Sequence, residues 1–243
     1  SDVYKRQAAD LSGDGHTDVV VVNFTSSSPD TTGHVSVLRG NGDGTFPVPT
    51  EYDTFLDAKA VLAADLNGDG APDLAVIGYD HNDPSLKGLV RVFTNQGNGT
   101  FLLLDSPQVG EWPNAIVAAD LNGDGKLDLA TTNDPGYDVS VLFGKGNGLF
   151  SSAADYPLGW AHTLATADLN GDGKLDLVAP DTFTQMVKVL YNQGDGTFAP
   201  AVSLAPGVDP GGVLAADLNG DGTVDLAVSA WATYETSVLL GQG

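Results

Sequence analysis

Apolar residues fall along this chain in runs of five or six, separated by glycine, proline and aspartate, and the runs recur in one order. A run rich in small residues (60–64, 115–119, 164–167, 212–216) precedes an acidic loop, and a second apolar run follows it (18–22, 73–77, 128–132, 176–179, 225–229). A polar stretch comes next, usually with proline. A third run alternates in period two (34–38, 89–94, 139–143, 186–191, 237–240), and a glycine-rich turn then leads to a fourth segment that opens on an aromatic. Short runs of Val, Leu and Ala bounded by turn residues predict strands. Asn-Gly and Asp-Gly within 40–46, 95–101, 144–150 and 192–198 supply the positive φ of tight hairpins. No helix-period pattern of useful length is present. The expectation is an all-β chain.

The acidic loop is the repeating unit. It reads DLSGDGHTD at 10–18, DLNGDGAPD at 65–73, DLNGDGKLD at both 120–128 and 168–176, and DLNGDGTVD at 217–225. The first aspartates are 55, 55, 48 and 49 residues apart. Four antiparallel strands per repeat of about 50 residues predict a β-propeller with one blade per repeat. Small residues before the loop suit the strand nearest the axis. The blades are placed at 5–54, 58–108, 113–157, 161–204 and 210–243, within one domain over 1–243. The first four are complete and the fifth lacks its outer strand, so the chain is expected to be a fragment of a larger propeller. It either closes as a strained five-blade ring or stays an open arc with exposed edges. Residues 1–7 (SDVYKRQ), locally basic, read as a non-native leader.

The loops also carry the candidate chemistry. Oxygen-bearing side chains stand at positions 1, 3, 5 and 9, with glycine at 4 and 6. Ca²⁺ takes about 6–8 oxygens, and glycine permits the turn that aims them inward. The chain has a formal charge of −22, from 32 acidic and 10 basic residues among 243. Five bound Ca²⁺ would add ten charges and leave −12. This acidity argues against nucleic acid and against an anionic membrane surface. No apolar run has the length of a membrane span, and direct membrane insertion is not expected. With no cysteine, disulfides contribute nothing. An EF-hand would need a Glu at position 12 and flanking helices; here that position is Val21, Val76, Thr131, Ala179 and Val228. The repeated Trp-Asp signature of WD40 blades is absent.

The DxNxDGxxD loop between two strands, followed by a GDGTF-type turn, resembles the FG-GAP/VCBS repeats of integrin α-like propellers, and of their bacterial branch in particular. The resemblance covers the chain after the leader, and it implies that the loop between the first and second strands binds Ca²⁺. Positions 1, 3, 5 and 9 then become side-chain ligands and position 7 offers its carbonyl. The implied sites are Asp10, Ser12, Asp14, His16 and Asp18; Asp65, Asn67, Asp69, Ala71 and Asp73; Asp120, Asn122, Asp124, Lys126 and Asp128; Asp168, Asn170, Asp172, Lys174 and Asp176; and Asp217, Asn219, Asp221, Thr223 and Asp225. Ser12 in place of Asn makes the first site the weakest. The side chains of His16, Lys126 and Lys174 are expected to point to solvent. Asp43 and Asp195 read as turn residues, and Phe46, Phe101, Phe150 and Phe198 as plugs between blades.

The loops joining the second strand to the third, and one blade to the next, share the opposite face. Trp112 and Trp160 lie eight residues before their loop aspartate, and Phe24, Tyr79 and Trp231 lie fourteen after it. With Glu111, His81, Asp134 and His162 nearby, Trp112, Trp160, Tyr79 and Trp231 are the candidate ligand-binding residues; the alternative is that these rings merely cap the core. No GxSxG, HExxH or cysteine nucleophile is present, so an enzyme is not expected. The leading expectation is a calcium-binding propeller acting as an extracellular adhesion module within a larger protein, with a protein or glycan as ligand. The alternatives are a lectin-like propeller or accessory domain of a polysaccharide-processing enzyme, and a structural spacer of a surface protein. Small extracellular Ca²⁺ modules bind at about 10⁻⁴–10⁻³ M, which implies a secreted, cell-surface or periplasmic setting.

Overall fold

A computed structural model describes residues 6–23, 33–55, 57–79, 87–207 and 209–242. The described residues form strands and turns without a helix. Five antiparallel sheets follow one another along the chain, and each is built from strands consecutive in sequence. Sheet I holds β1 (Arg6–Ala9), β2 (Asp18–Asn23), β3 (His34–Leu38) and β4 (Thr50–Asp53). Sheet II holds β5 (Asp57–Ala64), β6 (Asp73–Tyr79), β7 (Lys87–Asn95) and β8 (Phe101–Asp105), and β9 (Gln108–Glu111) also pairs with β7. Sheet III is β10 (Pro113–Ala119), β11 (Asp128–Asn133), β12 (Asp138–Leu142) and β13 (Ala154–Pro157). Sheet IV is β14 (Ala165–Ala167), β15 (Asp176–Asp181), β16 (Met186–Leu190) and β17 (Val202–Leu204), and sheet V is β18 (Pro210–Ala216), β19 (Asp225–Ala230) and β20 (Thr236–Leu239). The four-stranded sheets have the form of propeller blades.

The sheets pack face to face, which explains why their middle strands are apolar on both sides. Successive side chains of a strand point to opposite faces, so Val141 joins the core shared with sheet IV while Leu142 joins that shared with sheet II. Among the described residues four core clusters result. Val20, Val35 and Val37 meet Val61, Leu74 and Phe101 between sheets I and II. Ile77, Val90 and Val92 meet Ile116, Leu129 and Phe150 between II and III. Leu121, Val139 and Val141 meet Leu177, Leu190 and Phe198 between III and IV. Val178, Val187 and Val189 meet Leu226 and Val228 between IV and V. Each such side chain contributes about 1.5–3 kcal/mol when fully buried. Among the described residues, no cluster joins sheet V back to sheet I.

This arrangement corrects one expectation. Phe101, Phe150 and Phe198 are buried, but Phe46 is 43% exposed. Each buried ring reaches back into the core shared with the preceding sheet. Phe46 lies in the turn ahead of β4, the outer strand of sheet I, and no sheet precedes it among the described residues.

Candidate functional site

Because consecutive strands run antiparallel, each acidic loop and each glycine-rich turn lie at the same end of their sheet. In the loop 120–128 the Asp120 carboxylate closes the turn. It accepts N–H bonds from Gly123 (2.7 Å), Asp124 (3.1 Å) and Gly125 (2.8 Å), while Asn122 Oδ1 accepts from Asp124 N (2.8 Å) and Asp124 Oδ1 from Lys126 N (3.0 Å). Gly123 and Gly125 sit at φ 76° and 81°, a region open to glycine without penalty. Asp65, Asp168 and Asp217 close their loops in the same way. The first loop departs from the pattern. Asp10 still caps Gly13 and Gly15, but Ser12 Oγ is buried and has no hydrogen-bond partner.

Position 9 does something the sequence reading missed. Asp18, Asp73, Asp128, Asp176 and Asp225 are fully buried. Asp128 Oδ2 accepts from Leu121 N (2.9 Å) and its Oδ1 from Gly144 N (2.7 Å), the first residue of the glycine-rich turn. Asp18, Asp73, Asp176 and Asp225 likewise tie their loops to Gly40, Asn95, Asn192 and Gly241. The carboxylate therefore staples two loops of one sheet and satisfies two buried amides. Burial pushes the carboxyls of Asp73, Asp128 and Asp176 above the usual range, against the pull of those amides. A recurrent acid opening an otherwise apolar strand was the available signal.

Five donor sets composed only of oxygens (Asp, Asn or Ser, Asp, a backbone carbonyl, Asp) fit a hard cation by their chemistry. The carboxylates at positions 1 and 9 are turned to backbone amides, and among the described residues no group of three or more acidic or histidine side chains converges as a metal centre. Each carboxylate oxygen has a second lone pair, so an amide bond does not exhaust it. The lysines do not simply point to solvent, as their position suggested. Lys126 Nζ lies 3.0 Å from Asp124 Oδ2 and Lys174 Nζ 3.3 Å from Asp172 Oδ2. The Lys126 bond holds the Asp124 carboxyl below the usual range, and the Thr223 hydroxyl does the same for Asp221. Asp43 and Asp195 cap the amide and hydroxyl of Thr45 and Thr197, which is turn chemistry.

At the other end of the sheets the residues differ from repeat to repeat. Trp112 is 38% exposed and stacks on Tyr79, with ring centroids 5.9 Å apart and planes at 18°. Tyr79 is only 6% exposed. It supports Trp112 from below, which corrects its expected role as a ligand contact. Burial pushes its hydroxyl well above the usual tyrosine range, with help from Asp57. Trp160 is half-buried; its Nε1–H donates to Asp134 Oδ2 (2.9 Å), with Tyr137 edge-on and His162 tilted beside it. Trp231 is 61% exposed. Glu111 lies on β9 at the surface. Phe24 and His81 lie outside the described residues.

Tyr137, Phe183 and Tyr234 are exposed on this face and were not singled out from the sequence. Tyr137, Gln185 and Tyr234 each stand seventeen residues after their loop aspartate and take φ of 53°, 58° and 58°. That shared register was the available signal. Between sheets III and IV a cleft of about 600 Å³ is lined by Tyr137, Tyr156, Leu158, Asp181, Lys188 and Pro200, among others. Asp181 accepts from the amides of Trp160 and Phe183, and Lys188 Nζ, 3.9 Å from its carboxylate, donates to Ser203 Oγ (2.8 Å).

Stacked antiparallel sheets with one stapled acidic loop in each define a repeat protein whose unit is the strand–loop–strand. The chain belongs to the FG-GAP-like repeat family, which matches residues 10–76, 65–131, 120–179 and 168–228. No curated protein sequence matches it. Among solved structures it is similar to the V. cholerae biofilm matrix protein Bap1 (TM-score 0.56, 22% identity), over 96% of this chain and 36% of that one. It is also similar to BBS1N in complex with ARL6DN (TM-score 0.56, 12% identity), over 97% of this chain and 68% of that one. At these identities the likeness is one of fold. The chain spans about a third of the Bap1 chain.

Proposed function

We propose that this chain is a calcium-stabilised β-propeller module for extracellular adhesion, carried within a larger protein, without enzymatic activity of its own. The observation that carries the reading is the division of labour between its ends. One end bears the same oxygen-only loop in every sheet; the other bears exposed, unlike aromatic residues. The Bap1 likeness supports it, since that protein belongs to a biofilm matrix. Calcium would be held by positions 1, 3, 5 and 9 of each loop and the position-7 carbonyl, and its charge would offset repulsion among the three aspartates. The role is structural, and the first site, with Ser12, is the weakest. No described helix is long and apolar enough to cross a membrane.

Thermal unfolding in calcium and in chelator tests the metal. A ligand that binds only the folded state at 100 times its Kd stabilises by about 2.7 kcal/mol per site, so a midpoint unmoved by chelation refutes it. Adhesion is tested by retention of the labelled chain on an extracellular matrix. Trp112→Ala and Trp231→Ala should reduce it while leaving the calcium shift intact.

A second reading, glycan binding, draws on the cleft between sheets III and IV. Its volume of about 600 Å³ lies within the range of small-ligand pockets, and tyrosine rings beside a carboxylate and an ammonium suit a sugar's apolar face and hydroxyls. A glycan array with wild type and Tyr137→Ala separates this from protein adhesion.

A further inference from the structure

The chain contains seven Asn-Gly pairs, four in the acidic loops and three in the glycine-rich turns. Glycine places no side chain beside the asparagine carboxamide, so in an open chain its amide nitrogen easily reaches the asparagine Cγ. In the folded chain the approach depends on what holds that amide. The loops hold it tightly. The position-1 carboxylate accepts the glycine N–H, Asp65 from Gly68 (2.8 Å), Asp120 from Gly123 (2.7 Å), Asp168 from Gly171 (2.8 Å) and Asp217 from Gly220 (2.6 Å). The asparagine is fixed as well, since its Oδ1 accepts from the position-5 amide at 2.8–3.0 Å. Two of the turn pairs have a longer hold: Gly99 N donates to Asn95 Oδ1 and Gly148 N to Leu66 O, both at 3.2 Å. Gly42 differs. Its N–H has no acceptor among the described residues, although the His16 ring lies against this glycine. Asn41 before it is exposed, and its Nδ2 donates to Thr45 Oγ1 (2.9 Å).

The cause is local. The first turn residue is Asn95 in sheet II and Asn192 in sheet IV, and their Oδ1 atoms hold the amides of Gly97 (3.0 Å) and Gly194 (2.8 Å). Sheets I and III carry Gly40 and Gly144 there and lack that acceptor. Gly146 N, in a sheet packed on both sides, likewise has no acceptor among the described residues. The freedom of Gly42 therefore comes from Gly40 and not from sheet I lying first. The residue before Gly146 is Lys145, which has no carboxamide, so a free glycine amide meets an asparagine only at Asn41 among the described residues.

We propose that Asn41 is a site of spontaneous deamidation, and that the carboxylate clamp of each acidic loop spares the asparagine beside it. The Gly42 amide nitrogen attacks Asn41 Cγ and gives up its proton. The Cγ–Nδ2 bond breaks, Nδ2 leaves with that proton as ammonia, and a succinimide ring remains. Water opens the ring at either carbonyl, leaving an aspartyl or an isoaspartyl residue. The product adds a negative charge to a turn that already carries Asp43. The isoaspartyl form also inserts a methylene within the turn closed by Asn41 N and Thr45 O (3.0 Å). The inference goes beyond the adhesion reading and rests on neither calcium nor a partner.

Peptide mapping by mass spectrometry tests this on the folded chain in mildly alkaline buffer without added calcium, beside the same chain in denaturant. In denaturant all seven asparagines should convert. In the folded chain the Asn41 peptide should convert first, gaining the mass of an amide-to-acid exchange and resolving into aspartyl and isoaspartyl forms. Asn98 and Asn147 should follow more slowly, and the four loop asparagines should keep their amides. Asn41→Gln, at an exposed site, should remove the first acidic species seen by ion exchange, because the longer side chain closes the ring poorly. An Asn41 amide that persists in the folded chain while the denatured chain converts overturns the proposal. So does conversion of the loop asparagines at the rate of Asn41, or a first acidic species that survives Asn41→Gln.

Discussion

The two ends of the sheets solve the same backbone problem with different residues. At the end with the acidic loops, every residue at positive φ is glycine; Gly123, Gly125, Gly146 and Gly148 are those of sheet III. At the opposite end the positive-φ residues include Trp112, Tyr137, Gln185 and Tyr234. A non-glycine residue in this region costs about 1–2 kcal/mol. The first end is thus built at the lowest conformational energy and repeated almost without change. The second carries strain, varies between repeats, and directs rings outward. Strain and variety belong together on a surface selected for contact, whereas economy and repetition mark a scaffold. Charge follows burial instead: among the exposed loop acids, Asp10, Asp124 and Asp221 are held down by an amide, a lysine and a threonine, whereas burial raises Asp128 in a loop and Asp138 near the other end.

The sharpest way to break the comparison is to remove a staple. Asp128→Ala leaves the buried amides of Leu121 and Gly144 without acceptors, at about 1–3 kcal/mol each. Stability in chelator should fall by about 2–5 kcal/mol. Asp124→Ala, in the same loop but exposed, should stay within about 0.5 kcal/mol in chelator and lose only that loop's share of the response to calcium. Urea unfolding of both proteins measures this. Equal losses in chelator would show that position 9 has no role beyond that of its neighbours.

The repeat and its strands were legible because they rest on local rules: period-two runs, turn glycines and an acidic loop whose spacing is visible by eye. The staple at Asp128 was not, since its partner Gly144 lies sixteen residues away and the bond exists only once β11 and β12 pair. Phe46 and Phe198 occupy the same place in their repeats, so no local pattern separates the exposed ring from the buried one. Only the neighbouring sheet does. Tyr79 was misplaced for a similar reason, because a ring one turn from the surface reads as exposed until Trp112 is seen to cover it. The positive φ of Tyr137 and Tyr234 was hidden because tyrosine gives no propensity signal for it.

A smaller effect reads the strain directly, with opposite signs at the two ends. Gly125→Ala should destabilise by about 1 kcal/mol, since φ 81° is unfavourable for alanine although its Cβ meets nothing within 4 Å. Tyr234→Gly should stabilise by up to about 1 kcal/mol, because a ring 95% exposed has little packing to lose while φ 58° relaxes. Denaturant midpoints of the two variants decide it. If Tyr234→Gly destabilises, the tyrosine contributes to the fold and the contrast between the ends weakens at that repeat.

The smallest expected effect concerns Asp138, whose carboxyl is raised by burial and further by the charge of Asp155, while a bond from Asn133 Nδ2 (2.7 Å) pulls it down. A carboxyl raised in the folded state favours folding when protonated. Its contribution is present below the unfolded pKa of about 3.9 and is lost as pH rises through the folded value. At neutral pH the wild type therefore carries a buried charge that Asp138→Asn lacks, while the amide oxygen can still accept from Asn133. The variant should have the higher unfolding midpoint at pH 7, and the gap should close as pH falls through the acid range. A gap that stays constant or widens on acidification would mean that the Asp138 charge is stabilised at its site. Burial would then not set Asp138 apart from the exposed loop acids, while the conformational contrast between the ends stood.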